Sequence, residues 1–320
     1  MAQDYTYINA RLRALEASMP DAAWFQRIAR APVDSVLVSV KEFYRGFDPV
    51  DSLYRFEDGI ESEKTVFLEL LSSLLNDDRV ESFFRAGFDF DNLTHGVKAA
   101  ALGADAAYNP FGLVSHEVIE KGASGGSAID LPDHLKNCLE KLLEASEEGG
   151  AQAVESRGEA EKFAYLVETA PGKAARMYVT FRIDLANIRT FIRLKRIDLR
   201  KDAIDTLWIS GGSIDIQTLR TLFREPEDEL YTYLTTTEYR GLITAGLGLT
   251  TTVWMVDVLI DREMLERLGD SRYRFFDIGP VIYHFQLRER NERLLRLLLV
   301  GKLNMLPEEL LLEKTEAMTA

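Results

Sequence analysis

The chain has 320 residues, of which 46% are hydrophobic and 28% charged, with a formal charge of −14. These values describe an ordinary globular protein with room for two or three domains and a sizeable core, and they exclude an intrinsically disordered chain. The acidic balance argues against nonspecific nucleic-acid binding and against lying flat on an anionic membrane, because both surfaces would repel it.

The opening stretch, MAQDYTYINARLRALEA, mixes acid and base without an apolar segment and does not read as a signal peptide. DSVLVSVKEFY, from Asp34, is rich in β-branched residues, so propensity alone allows a strand. From Ser62 to Gly87, the spacing of Val66, Leu70, Leu74 and Val80 predicts a helix, with Ser62 as N-cap and Gly87 as stop. Glu120 to Pro132 reads as a loop. A second helix is expected from Pro132 to Gly149-Gly150, with Leu135, Leu139, Leu142 and Leu143 as its apolar stripe. The Glu- and Gly-rich run from Glu144 to Glu161 is a solvated linker or a frayed helix end.

AARMYVTFRI, from Ala174, and TTTVWMVDVLI, from Thr250, again allow strands, whereas the long helical pieces around them set the class. Loops are expected at Ile209–Ser213 and Arg224–Glu229. Leu242 to Ile260 has the length of a membrane span, but its threonines, two glycines and Asp257 make a buried element the better reading. DREMLERLGD, from Asp261, is a further short helix. In NERLLRLLLVGKLNMLPEEL, from Asn291, the polar face of Glu289, Glu292, Arg293 and Arg296 gives way to an all-round apolar run that needs cover.

Four stretches echo one another. They centre on Asn9 (YINARLRAL), Asn92 (FDNLTHGVKAAALG), Asn187 (LANIRTFIRLKRI) and Asn291 (RERNERLLRLLLVGK), with the asparagines 83, 95 and 104 residues apart. Each asparagine is expected to start a repeat helix, because its side chain accepts from exposed N–H groups of a first turn. A Gly-Gly turn follows two copies, at Gly125-Gly126 and Gly211-Gly212.

Catalytic chemistry is thin. His95, His116, His134 and His284 form no pair at metal-ligand spacing, and Glu120 in SHEVIE stands where a zinc-binding helix needs its second histidine. The single cysteine, Cys138, excludes an internal disulfide framework, fits a reducing compartment and falls on an apolar helix stripe, where thiols pack. EKGASGGSAID, LLLVGKLN and TAGLGLTT each lack part of a phosphate-binding loop and read as turns or packing points. No catalytic, metal or cofactor site is expected. Residues 182–201 carry seven bases against two acids, and Arg189, Arg193, Arg196 and Arg200 form a stripe beside Leu185, Ile188, Ile192 and Leu199. That stripe suits acidic partner loops or helix C-termini, or pairs within the chain with the acidic surplus.

The terminal motifs carry a resemblance. YTYINARLRALEASM resembles the opening of the C subunit (also termed d) of V-type and archaeal-type rotary ATPases, and RERNERLLRLLLVGKLNMLPEELLLE resembles that family's last helix. DLANIRTFIRLK and WISGGSIDIQTL are similar to its internal repeat and Gly-Gly turn. Glu292, where an aliphatic residue is usual, and His95-Gly96, in the second copy, depart from the pattern.

The resemblance implies an all-α protein of three similar helical modules, here 1–105, 106–205 and 206–320, arranged as a funnel. It further implies a non-catalytic subunit on the cytoplasmic face of the membrane, without a span of its own. Its partners would be the membrane rotor ring of proteolipid subunits and the central shaft, between which it transmits torque for proton or sodium transport. A free-standing helical scaffold or a helical enzyme is the alternative; a scaffold would bind peptides in a groove, and an enzyme would cluster titratable groups in a pocket.

Overall fold

The computed structural model describes residues 5–75, 77–197, 207–274 and 276–319. Its described residues are helical and turn segments without strands, so the chain is all-α. By contact it divides into two units, Met1–Asn76 with Thr251–Ala320, and Asp77–Thr250.

The first unit contains α1 (Thr6–Glu16), α2 (Ala22–Arg30), α3 (Val33–Lys41), α4 (Phe56–Leu74), α12 (Val253–Gly269), α13 (Gly279–Leu303) and α14 (Glu308–Thr319). Asp21 starts α2 by accepting from the Trp24 N–H at 2.8 Å. The strand-like SVLVSV lies in α3, where Val36 and Val40, one helical turn apart, are both buried. Tertiary packing thus overrides its β propensity. The apolar half of the Asn291 segment gains its cover here, since Leu294, Leu295, Leu298 and Leu299 of α13 share a core with Trp24, Phe25 and Ile28 of α2 and Leu311 of α14. Lys302, just beyond that run, donates its Nζ to the carbonyl oxygens of Ala29 and Ala31 and so closes the C-terminus of α2.

The second unit contains α5 (Asp78–Leu102), α6 (His116–Ala123), α7 (Asp133–Thr169), α8 (Gly172–Arg196), α9 (Ile216–Arg224), α10 (Glu227–Thr235) and α11 (Arg240–Thr244). Phe90, Leu93 and Val97 of α5 meet Leu135, Cys138, Leu139 and Leu142 of α7 in its core. Burial pushes the Cys138 thiol up to about 12, as expected for a cysteine used in packing.

Several expected boundaries shift. Ser62 lies inside α4 and Gly87 inside α5; α4 ends at Leu74, and Asp77 caps α5 through the Arg79 N–H at 3.0 Å. Helix α7 starts after Pro132, and its first stretch ends at the glycine pair as expected: Gly150 is non-helical, with a φ of 64° and ψ of −154° that suit glycine alone, and a second helical stretch follows it to Thr169, through the run expected to be a linker or frayed end. DREMLERLGD is the second half of α12, and His95-Gly96 lie within an unbroken α5.

Candidate functional site

Three helices, α5, α8 and α13, are each 25 residues long and carry one repeat asparagine near the middle. The fourth asparagine, Asn9, sits in the short α1. None of the four is a helix start. Their own N–H groups lie beyond the uncapped first turn, and their side chains are buried, with at most 3% exposure. A buried carboxamide must find partners off its own helix, and in α5 and α8 it finds a loop.

In α5, the Asn92 Nδ2 donates to the Asn109 carbonyl at 2.8 Å while its Oδ1 accepts from the N–H of the same residue at 2.7 Å. In α8, Asn187 treats Ile209 identically, at 2.8 and 3.0 Å. Each carboxamide therefore reads both polar groups of one loop residue, as a neighbouring strand would. Three residues earlier, one turn back on the same face, stands an aspartate. Asp89 accepts from the N–H groups of Leu113 (2.9 Å) and Val114 (3.0 Å). Asp184 accepts from those of Ser213 (2.8 Å) and Ile214 (3.0 Å), and also from the Ser213 and Tyr239 hydroxyls, both at 2.6 Å.

The loops are shaped to fit. A Cβ on Gly112 would lie 2.2 Å from Asp89 Oδ1, and one on Gly212 would lie 2.1 Å from Asp184 Oδ1. Only glycine allows the backbone to lie against the carboxylate at that distance. The counterpart of Gly211-Gly212 is accordingly Phe111-Gly112. The Gly125-Gly126 pair instead closes α6, where the Gly126 N–H donates to Lys121 O at 2.9 Å. Burial raises the Asp89 carboxyl above the ordinary carboxylate value, against the pull of the two N–H bonds. The signal that would have found these sites is the shared Asp-x-x-Asn followed by a downstream glycine.

The other two asparagines differ. Asn9 Nδ2 donates to the Asp277 carbonyl at 3.0 Å, tying α1 to the start of α13, where Asp277 also accepts from the Gly279 N–H at 2.7 Å. Asn291 Oδ1 accepts from Nη2 of its neighbour Arg290 at 3.1 Å, and Arg288 occupies the position three residues earlier. Close by, the fully buried His284 lies 3.6 Å from Glu16 Oε1. Burial lowers the His284 pKa despite that carboxylate. For Glu16, burial acts upward, but His284, Arg13 and Arg272 together bring its carboxyl below the usual value.

The arginine stripe divides. Leu185, Ile188 and Ile192 are buried as expected, whereas Leu199 and Arg200 lie outside the described residues. Arg193 is exposed and Arg189 half-buried. Arg196 turns inward to Glu227 Oε1 at 3.0 Å, the Tyr231 hydroxyl at 3.3 Å and the Gly248 carbonyl at 3.3 Å. For this member, the reading as intramolecular pairing is the structural one.

Among the described residues, no helix is long and apolar enough to cross a membrane, and no three His, Cys, Asp or Glu side chains are grouped to hold a metal ion. A model of the ATP synthase (C/AC39) subunit family matches residues 8–314, from just before Asn9 to the middle of α14. The chain belongs to that family. Among curated proteins it is similar to the C subunit of the V-type sodium ATPase of Enterococcus hirae, with 23% identity over 97% of this chain and 98% of that one. All four repeat asparagines and both aspartate–asparagine loop clamps fall inside the stretch that the C/AC39 family model matches.

Proposed function

We propose that this chain is a non-catalytic central-rotor subunit of a V/A-type ATPase or ATP synthase, linking the membrane rotor ring to the central shaft and passing torque between them during ion transport. The observation that carries this reading is the family match, which extends over both units in place of a single module. The clamps supply a mechanical reason. A torque-bearing part must not hinge, and α5 and α8 each fasten their following loop by a carboxamide and a carboxylate buried in the helix body. Their most buried polar groups hold the chain's own backbone.

In this reading, α5, α8 and α13 fall one each in three related modules, 1–105, 106–205 and 206–320, arranged as a funnel. The protein sits at the cytoplasmic face of the membrane through its complex, with the proteolipid ring and the shaft subunits as partners. The test is affinity purification of the tagged full chain from its own host in mild detergent, followed by mass spectrometry. Co-recovery of ring and shaft subunits is expected. A chain that comes down alone, or with unrelated soluble enzymes, would overturn the reading and favour a free-standing scaffold or enzyme.

A further inference from the structure

Between α12, α13 and α14 the first unit holds a cavity of about 250 Å³, separate from the one on the Asn291 face of α13 that Phe43, Phe67 and Leu295 line. Helix α12 turns one face to it, with Val258, Asp261 and Leu265 at helical spacing. Helix α13 supplies Tyr283 and Arg290, two turns apart and so on one face as well, and Met318 of α14 forms the third side.

The charges around this cavity do not balance. Arg262 and Glu266, both in its lining, pair with each other along α12 at 2.9 Å. Asp261 is taken by Arg293, which lies outside the lining, at 3.1 Å. Arg290 is left over. Among the described residues its partner is the uncharged side-chain oxygen of Asn291, which accepts from Nε at 3.3 Å and from Nη2 at 3.1 Å. Its Nη1 is bonded to none of them, whereas the other arginines of α13 reach carboxylates: Arg288 finds Glu63, Arg293 finds Asp261 and Arg296 finds Glu57. Burial lowers the Arg290 pKa and Arg293 adds to that, against the pull of Tyr283 and Asp261. A half-buried cation met by carboxylates only at a distance is costly, and an anion brought to it would offset that cost.

The rest of the lining says which anion. The Tyr283 hydroxyl is a second donor on the Arg290 face, without a hydrogen-bond partner among the described residues; its ring carries the Arg272 guanidinium at 5.1 Å. Asp261 and Glu266 would repel a second negative charge. Val258, Leu265 and Met318 offer apolar surface in place of further donors. From the unbalanced guanidinium, the hydroxyl on the same helix face and the apolar remainder of the wall, we propose that this cavity binds a small monocarboxylate with a short aliphatic tail. Its carboxylate would accept from Arg290 and from the Tyr283 hydroxyl, and its tail would lie against Val258, Leu265 and Met318. A volume below the roughly 300–1,000 Å³ of sites for drug-sized ligands limits the tail to a few carbons. The site lies within the first unit and does not depend on the rotor reading.

The test titrates hexanoate into the isolated full chain at constant ionic strength, followed by saturation-transfer NMR and by melting temperature. Saturable binding with a rise in melting temperature is expected. Hexanol lacks the charge and succinate carries one too many, so each should bind about tenfold more weakly or not at all. Arg290→Gln should weaken hexanoate about tenfold or more, and Tyr283→Phe about two- to tenfold. Met318→Glu separates binding from folding: it supplies a carboxylate from the chain itself, and should abolish hexanoate binding without lowering the melting temperature. Four glycines appended after Ala320 move the terminal carboxylate and should leave the affinity unchanged; a tightening of about threefold or more would assign the site to that carboxylate and overturn the proposal. Absence of saturable binding to the wild-type chain, or equal affinity for hexanoate and hexanol, or wild-type affinity in Arg290→Gln, would also overturn it.

Discussion

Helices α5 and α8 on one side, and α13 on the other, have the same length and the same central asparagine, yet they use it differently. In the first two, an aspartate one turn earlier joins the asparagine, and together they fix the loop that follows. In α13, an arginine replaces the aspartate, the asparagine serves Arg290, and the face borders a cavity. The repeated residue therefore marks a position, and its neighbour at minus three decides whether that position is filled from within the chain.

The largest effect should come from Asp184→Ala, which leaves two loop N–H groups and the Tyr239 hydroxyl without their acceptor, the Ser213 hydroxyl keeping Glu238, and should cost about 4 kcal/mol in urea unfolding. A loss below about 1 kcal/mol would break the comparison, because the carboxylate would then be a bystander. Next, Asn187→Ala should cost about 2–3 kcal/mol, since both polar groups of Ile209 are orphaned, and Asn92→Ala about 2 kcal/mol, since the Asn109 carbonyl keeps His116 Nε2 at 3.1 Å and only the Asn109 N–H is orphaned. Asn291→Ala should cost about 1 kcal/mol or less, because it orphans no loop backbone. Equal losses at all three would erase the distinction. Gly212→Ala sharpens it further, and should cost about 1–3 kcal/mol by forcing the loop off Asp184.

The smallest predicted effect is a pH dependence within the first unit. The folded-state pKa of His284 lies below its unfolded value near 6.5, so the unfolded chain binds the proton more readily. Stability is therefore fully present above about pH 6.5 and falls as pH drops below it. Glu16, with its pKa also lowered, adds a second loss only at more acid pH, as its carboxylate takes up a proton. The groups facing His284 are Glu16, Arg288 and the Phe67 ring, with Arg13 and Arg272 on Glu16. Melting temperatures between pH 5 and 8 should slope for the wild type and flatten for His284→Gln; identical slopes would exclude His284 as the source.

Much of the fold was legible because amphipathic spacing survives in the sequence: the stripe of Leu135, Leu139 and Leu142 became the core of α7, and the apolar run after Arg296 became that of α13. Boundaries were less legible. Gly87 and Gly150 both look like stops, yet only Gly150 breaks its helix, while α5 runs straight through Gly87. The four asparagines stand out as a repeat but look like caps, since a local rule for Asn says nothing about a loop arriving from 17 or 22 residues away. Asp89 and Asp184 were invisible for the same reason: in an acidic chain, two more aspartates carry no signal until the loop glycines lie against them. The cavity beside Asn291 could not be read at all, because it is assembled from segments up to 280 residues apart.

The measurement that tests the clamps most directly is residue-resolved amide hydrogen exchange in the isolated full chain, read at Asn109, Leu113, Val114, Ile209, Ser213 and Ile214. The account predicts that these loop N–H groups exchange as slowly as the cores of α5 and α8, and that Asn92→Ala and Asn187→Ala each release only their own loop. Exchange at ordinary loop rates in the wild-type chain would contradict it, and would mean that the buried carboxamides and carboxylates do not hold the backbone in solution.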